Sequence, residues 1–121
     1  MLFRSFFIQN QAAQAKSKSE QTIATAPNIS IDTSLYFPAK LPAPAIMLAH
    51  GFGGSKDSVA AQATFFQTKG FVVLTWSARG FGNSSGEIEM NSPTAEVADS
   101  RALIDFLASR SEVIQIGRAH V

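Results

Sequence analysis

The sequence predicts an α/β fold with a mostly parallel sheet and helices on both faces. Residues 45–49 and 71–76 are short apolar runs bounded by polar or glycine residues, which is typical of buried strands. Each run is followed by a glycine-rich loop and then by a segment with helical spacing. This repeated order is the pattern of parallel strands joined by crossover helices, which bind ligands at the carboxyl ends of the strands. Both glycine loops are therefore expected at one edge of the sheet.

The composition predicts one globular domain. The chain has 121 residues, of which 45% are hydrophobic and 16% are charged. Its net charge is +1 without a basic run, so neither a nucleic acid nor a membrane is a predicted partner. The absence of cysteine excludes disulfides and thiolate metal sites, and nothing suggests a metal or an organic cofactor. No apolar stretch reaches membrane-span length and the start lacks a signal-peptide core, which favours a cytoplasmic location.

Residues 1–21 are predicted to be a polar lead-in or linker, because from residue 9 they are rich in Gln, Ala, Lys and Ser without an apolar period. The domain is predicted from residue 22. Residues 29–37 alternate apolar and polar side chains, which indicates a strand with one covered face. Prolines at positions 38, 42 and 44 then predict an extended connection, outside the sheet, to the strand at residues 45–49.

Two helices are predicted. Asp57 and Ser58 are suitable caps for the first helix, and Gly70 is expected to end it. The second helix is predicted to begin at residues 92–93, where proline follows serine. The predicted apolar stripe of the second helix consists of Val97, Ile104 and Ala108, with Leu103 and Leu107 beside it.

The first glycine loop suggests a site built from main-chain donors. It reads His50, Gly51, Phe52, Gly53 and Gly54 directly after a predicted strand. Glycine permits positive φ and a close approach of main-chain N–H groups to a ligand, so the loop could present donors to a negatively charged oxygen. The alternative is an ordinary turn between a strand and a helix.

The second glycine loop has three possible interpretations. The letters around Ser84 match Gly-x-Ser-x-Gly, but a nucleophile elbow needs a tight turn running directly from a strand into a helix, and this loop is longer. Gly80, Gly82 and Gly86 follow a strand as in dinucleotide-binding folds, yet the third glycine is one position late. A polar loop of turn-forming residues is the favoured interpretation. A Walker loop is excluded, because residues 54–57 lack the required order.

The two loops together resemble the amino-terminal half of an α/β-hydrolase. Residues 50–54 after one strand and residues 79–86 after the next, with an apolar helix following, have the order and spacing of that superfamily. Within it, the chain is most similar to the serine peptidases and esterases with an Xaa-Pro dipeptidyl-peptidase-like catalytic domain. The resemblance covers roughly residues 29–110. Ser77 departs from it, because many relatives have Asp at this position.

The resemblance implies a serine hydrolase that acts by acyl transfer on a small-molecule or peptide substrate, with ester and peptide bonds both open. It implies that the main-chain N–H of Phe52 is one oxyanion donor. The nucleophile, the acid and the base are expected downstream, so no catalytic residue is predicted within the chain and the chain alone is expected to be inactive. The alternative is a noncatalytic α/β module that binds a small ligand or a nucleotide.

Two charged or titratable residues have two interpretations each. His50 could be a catalytic base, but the family's base comes late in the chain, which favours a loop-shaping role. Arg79 could hold a substrate carboxylate or could fix its loop through an ion pair, and the second role is favoured. The residues predicted to shape the two loops are His50, Gly51, Gly53, Gly54, Arg79, Gly80 and Gly82.

The last six residues, 116–121, are hypothesised to be non-native. They read like the in-frame translation of a common sequencing adapter, which would leave residues 22–115 as the amino-terminal part of the hydrolase domain. His120 would then be excluded as a catalytic base. A sheet that lacks its later strands leaves an edge unpaired, so we expect poor solubility when the chain is expressed by itself.

Overall fold

The sheet brings together strands from both ends of the chain. A computed structural model of the protein describes residues 16–88 and 95–120. The five strands are β1 (Ser17–Ala26), β2 (Ile29–Phe37), β3 (Ala43–Ala49), β4 (Val72–Trp76) and β5 (Val113–His120). The helical elements are a 3-10 turn (Lys56–Val59), α1 (Ala60–Thr68) and α2 (Glu96–Ala108). The predicted opening of the second helix at residues 92–93 lies outside the described residues.

The strand order is β1-β2-β4-β3-β5. Strands β3, β4 and β5 are parallel, whereas β1 pairs antiparallel with β2 and β2 pairs antiparallel with β4. The α/β class predicted from the sequence is confirmed, with an antiparallel hairpin added to a parallel core. The carboxyl ends of β3 and β4 meet at one edge, so the two glycine loops that follow these strands are neighbours there.

Strand β1 begins inside the segment that the sequence analysis assigned to a polar lead-in. Its residues alternate between exposed and partly covered positions, as expected for a strand at the edge of a sheet. Asn28, with φ +62°, turns the chain from β1 into β2, a conformation that asparagine tolerates better than most residues. Strand β1 thus begins five residues before the domain start predicted at residue 22, because backbone pairing with β2 holds a sequence that has few apolar side chains.

Strand β2 is covered on both faces in its second half, contrary to the one covered face predicted. Thr33 and Leu35 are buried on one face, and Ser34 and Tyr36 are buried on the other. The polar side chain of Ser34 is accommodated because its hydroxyl donates to the carboxylate of Glu20 across the hairpin, at 2.6 Å. The alternation of apolar and polar residues in β2 therefore does not mean that its polar face is exposed to solvent.

The helices lie on opposite faces of the sheet. Leu103 and Leu107 of α2 pack with one set of buried strand residues, and Val59 and Ala63, before and within α1, pack with the other. Strand β4 is buried along its whole length between these layers, which explains its continuous apolar sequence. The stripe predicted for α2 was wrong at Val97, which is exposed, whereas Leu103 and Leu107, predicted beside it, are buried. The buried side of the helix also includes Asp99.

Strand β3 begins at Ala43, so Pro44 lies within the sheet and not in the predicted connection. The pairing of β3 with β5 is irregular between Ala43 and Ala45, a position where the missing N–H of a proline is tolerated. The backbone of residues 116–120 continues β5 along β3 and ends with His120 opposite Ala49. The hypothesis that these residues are non-native concerns their coding sequence and stays a prediction. No helix in the described ranges is long and apolar enough to cross a membrane.

Candidate active site

The first glycine loop forms a tight turn directly after β3. The N–H of Gly54 donates to the carbonyl oxygen of Gly51 at 3.0 Å, and Gly53 has φ +81°, which places Phe52 and Gly53 at the two central positions of the turn. The side chain of Phe52 is 77% exposed. Across residues 16–88 and 95–120, the main-chain N–H of Phe52 has no hydrogen-bond acceptor. This donor is therefore free to meet a ligand at the carboxyl edge of the sheet.

His50 connects the two glycine loops. Its Nε2 atom accepts a hydrogen bond from the N–H of Ala78 at 3.0 Å, so Nδ1 holds the proton and donates to the carbonyl oxygen of Gly51 at 2.7 Å. The ring also makes an edge contact with Phe81, at 5.3 Å between centroids. Both ring nitrogens thus have main-chain partners within the loops, which leaves neither directed at a substrate.

The 3-10 turn fixes the other end of the first loop. The hydroxyl of Ser55 accepts from the N–H of Asp57, and the hydroxyl of Ser58 accepts from the N–H of Ser55, so the two side chains form a capping box. Ser55 therefore caps the 3-10 turn, and α1 follows Val59 without a side-chain cap, so the caps predicted at Asp57 and Ser58 were wrong. A Cβ atom at Gly54 would lie 2.6 Å from the hydroxyl of Ser58, so this position has no room for a side chain. The close packing of loop and turn accounts for the glycine.

The second glycine loop folds back onto strand β2. The hydroxyl of Ser84 donates to the carbonyl oxygen of Ser77 and accepts from the N–H of Asp32, and the hydroxyl of Ser85 accepts from the N–H of Ser30. These contacts hold the loop down against the hairpin. The hydroxyl of Ser84 is therefore engaged as a bridge, not raised over the sheet as an elbow serine would be.

Four main-chain donors of the second loop, residues 79–86, are occupied. The N–H groups of Gly80, Phe81, Ser84 and Ser85 donate to carbonyl oxygens of this loop, of Ala78 or of β2. A dinucleotide-binding loop needs such groups to face a pyrophosphate. These four donors of the second loop are therefore used within the protein and are not available to a pyrophosphate.

Arg79 joins the second loop to helix α2. Its Nε and Nη2 atoms donate to the two carboxylate oxygens of Asp99, each at 2.9 Å, and the hydroxyl of Thr25 donates to the same carboxylate at 2.6 Å. Asp99 is only 2% exposed. The bidentate geometry suits the planar guanidinium, and burial removes competition from water. Arg79 therefore has the ion-paired arrangement that was favoured over a substrate clamp.

Lys56, which follows the first glycine loop, is buried, and its burial was not predicted from the sequence. The Nζ atom of Lys56 donates to Asp32 at 2.7 Å, to Glu20 at 2.5 Å and to the carbonyl oxygen of Thr33 at 3.3 Å. Its main-chain N–H donates to the hydroxyl of Ser77 at 3.0 Å. No local pattern predicts this cluster, because its carboxylates come from a hairpin more than twenty residues away in the chain.

The charges of the cluster shift one another's titration. Hydrogen bonds from Lys56 and Ser34 lower the pKa of Glu20 to about 2. Burial by itself lowers the pKa of Lys56, but the hydrogen bonds to Asp32 and Glu20 outweigh this effect and the pKa is raised. The Lys56 ammonium and the Glu20 carboxylate are therefore both charged at neutral pH. No group of three or more His, Asp or Glu side chains in the described residues has a metal-binding arrangement.

The fold and the two loops define an α/β-hydrolase. Among solved structures, Est1E from Butyrivibrio proteoclasticus, with ferulic acid bound, is similar with a TM-score of 0.75 and 21% identity, over 83% of this chain and 41% of that one. The α/β-hydrolase GrgF from a Penicillium species has a TM-score of 0.76 and 24% identity, over 87% and 37%. These two likenesses establish the fold.

The chain belongs to the X-Pro dipeptidyl-peptidase family S15, whose pattern matches residues 27–115. It is 34% identical over 103 residues to the uncharacterized protein YcjY of Escherichia coli K12. It is also similar to the hypothetical protein PA2218 of Pseudomonas aeruginosa, with a TM-score of 0.74 and 27% identity over 88% of this chain. The chain spans 34% of the first of these relatives and 36% of the second, about a third of their lengths.

Proposed function

We propose that this chain forms the amino-terminal part of the active site of a serine hydrolase that cleaves ester or peptide bonds by acyl transfer. The observation that carries the proposal is the free main-chain N–H of Phe52, in a turn at the carboxyl edge of a hydrolase-like sheet. In α/β-hydrolases, the loop after the third strand supplies one of the two oxyanion donors. Phe52 lies in the loop after β3.

The strand order supports the proposal. Strand β5 runs parallel to β3 and is hydrogen-bonded to it, so their carboxyl ends lie about 5 Å apart. A serine on a sharp turn after β5 would therefore emerge beside the loop that carries Phe52. We propose that the nucleophile occupies this position and that the acid and base come from later strands, so that the residues present here bind the oxyanion without completing a triad. Small molecules and peptides are both proposed as substrates.

The turn geometry allows a direct test of the donor. Proline lacks the N–H and is favoured at the first central position of a turn whose second central residue has positive φ, so Phe52→Pro should remove one donor without disturbing the turn. Phe52→Ala is the matched control, because it removes the ring and keeps the N–H. In the complete protein, Phe52→Pro should lower kcat for a p-nitrophenyl ester or an Xaa-Pro amide by about 100-fold to 1,000-fold relative to Phe52→Ala. Equal kcat values for the two variants would show that Phe52 is not an oxyanion donor.

Labelling with a fluorophosphonate tests the chemistry separately. This probe reacts with activated serines, so the complete protein should be labelled once, on the serine that follows β5. Residues 1–121 expressed alone should not be labelled, because the hydroxyl of Ser84 already bridges Ser77 and Asp32. Labelling of Ser84, or no labelling of the complete protein at all, would contradict the proposed mechanism.

A further inference from the structure

Lys56 has the burial and partners of an anchoring residue. Lysine is almost never buried unless it is paired, yet Lys56 is only 9% exposed. Its ammonium group has three N–H donors, and the structure provides three acceptors, on Asp32, Glu20 and Thr33. All three acceptors belong to the β1–β2 hairpin. The side chain thus connects the start of the 3-10 turn to strands β1 and β2.

The main chain of Lys56 is fixed as firmly as its side chain. Its N–H donates to the hydroxyl of Ser77, which is fully buried, and the N–H of Ser77 donates in turn to the carbonyl oxygen of Asp32. The loop that carries Phe52 is therefore held at two points. His50 fixes its beginning to Ala78, and Lys56 fixes its end to Ser77 and the hairpin.

We propose that Lys56 is a positioning residue for the oxyanion loop, acting through the charged cluster with Glu20 and Asp32. The inference rests on the proposed role of Phe52 as an oxyanion donor. An oxyanion donor acts on charge that develops in the transition state, so a small displacement costs turnover more than substrate binding. Loss of a lysine that only stabilised the domain would not lower kcat while leaving KM unchanged.

Kinetics of the complete protein give the first test. Lys56→Met keeps the length of the side chain and removes the charge. It should lower kcat by about 10-fold to 100-fold, with KM within about twofold, because misplacement by about 1 Å has effects of this size. The affinity for a boronate that mimics the tetrahedral intermediate should fall by the same factor as kcat. The matched control is Lys18→Met, because Lys18 contacts the same Glu20 carboxylate at 3.4 Å from an exposed position; its kinetics should equal those of the wild type.

Amide hydrogen exchange tests the positioning without catalysis. The N–H of Gly54 is bonded within the loop, and the N–H of Gly70 is bonded to Gln67 at the far end of α1. Lys56→Met should speed exchange at Gly54 by about tenfold or more while exchange at Gly70 changes little, since local opening is independent of global unfolding. Equal acceleration at both amides, or an unchanged kcat, would overturn the proposal.

A milder variant keeps the proposal testable if the Lys56→Met protein does not fold. Glu20→Gln removes one of the two carboxylates and leaves Asp32 in place, so it should shift kcat and Gly54 exchange in the same direction by a smaller factor. If the complete wild-type protein hydrolyses none of the substrates, the proposed function fails, and exchange at Gly54 still decides whether Lys56 positions the loop. Unchanged exchange at Gly54 in both variants would overturn the proposal.

Discussion

The hydroxyl of Ser84 donates a hydrogen bond to the carbonyl oxygen of Ser77. Ser77 directly follows β4, which ends at Trp76, and Ser84 lies in the second glycine loop, so the contact closes the loop back onto the end of the strand that it follows. The same hydroxyl accepts from the N–H of Asp32 in β2. A serine that resembles a nucleophile by its neighbouring letters is thus a structural bridge between a loop and two strands.

Ser84→Ala should therefore reduce stability and leave the chemistry intact. The substitution removes two hydrogen bonds and leaves the partly buried N–H of Asp32 without its acceptor, which should cost about 1–3 kcal/mol in the free energy of unfolding. Urea denaturation measures this change. Ser109→Ala, at the exposed end of α2, is a suitable control and should change stability by no more than about 0.5 kcal/mol. Loss of fluorophosphonate labelling in the folded Ser84→Ala protein would contradict the structural role.

Arg79→Met should destabilise the protein more strongly. It leaves the nearly fully buried carboxylate of Asp99 with the hydroxyl of Thr25 as its remaining partner, and breaking a buried ion pair in this way costs about 3–5 kcal/mol. Arg110→Met is the comparison, because the pair of Arg110 and Glu112 is more exposed and should contribute less than about 1 kcal/mol. Similar unfolding free energies for the two variants would show that burial does not decide the strength of these pairs.

The charge of Glu20 predicts a loss of stability in acid. Its pKa is about 2 in the folded protein and 4.5 ordinarily, so the stabilisation is complete above about pH 4.5 and is lost as the pH falls through about 2. Because the side chain is 54% exposed, solvent screening makes the effect smaller than the full shift implies. The urea midpoints of wild type and Glu20→Gln should therefore differ at pH 7 and converge near pH 2.

The contribution of Glu112 to the loss of stability in acid has to be separated from that of Glu20. Its hydrogen bond to Arg110 also lowers its pKa, so it contributes in the same direction on the acid side of its ordinary value. When Glu112→Gln is added to both the wild type and Glu20→Gln, the urea midpoints of the two proteins should still converge near pH 2. A constant difference between wild type and Glu20→Gln from pH 7 to pH 2 would refute the assignment to Glu20.

A comparison of Gly82→Ala with Gly70→Ala separates the cost of close packing from the cost of backbone strain. Gly82 has φ +53°, and a Cβ atom there would lie 2.5 Å from the hydroxyl of Ser77, the acceptor of the N–H of Lys56. Gly70 has φ +100° with nothing within 4 Å of such an atom. Gly70→Ala should cost about 1–2 kcal/mol from positive φ alone, and Gly82→Ala should cost more because Ser77 must move. Thermal unfolding measures both changes, and equal costs would argue against the close contact.

Local patterns predicted most of the strands and helices. The apolar runs of β3 and β4 and the glycine loops after them are visible in the sequence because covered parallel strands need apolar residues and tight turns need glycine. The same patterns predicted the class of fold, and the resemblance of the two loops to known hydrolases predicted the family. The origin of residues 116–121 and the oxyanion role of Phe52 stay predictions.

Other features depended on partners far along the chain. Residues 17–21 have few apolar side chains, and they are held in β1 by pairing with β2 and by hydrogen bonds from Lys56 and Gln67. The buried face of α2 contains Asp99, which reads as a solvent-facing residue until Arg79 and Thr25 surround it. Lys56 likewise reads as an exposed residue after a loop, whereas Asp32 and Glu20 make its burial possible.

The sequence by itself determined the α/β class and the position of the glycine loops after two buried strands, because hydrophobic spacing and backbone freedom are local properties of the chain. The family followed from the resemblance of the two loops to those of known hydrolases. Only the tertiary structure decided that Ser84 is a bridge, that Arg79 is paired and that Lys56 is buried beneath the first loop. Each of these depends on where a distant carboxylate or main-chain group lies, and burial of a polar group is favourable only when such a partner is present.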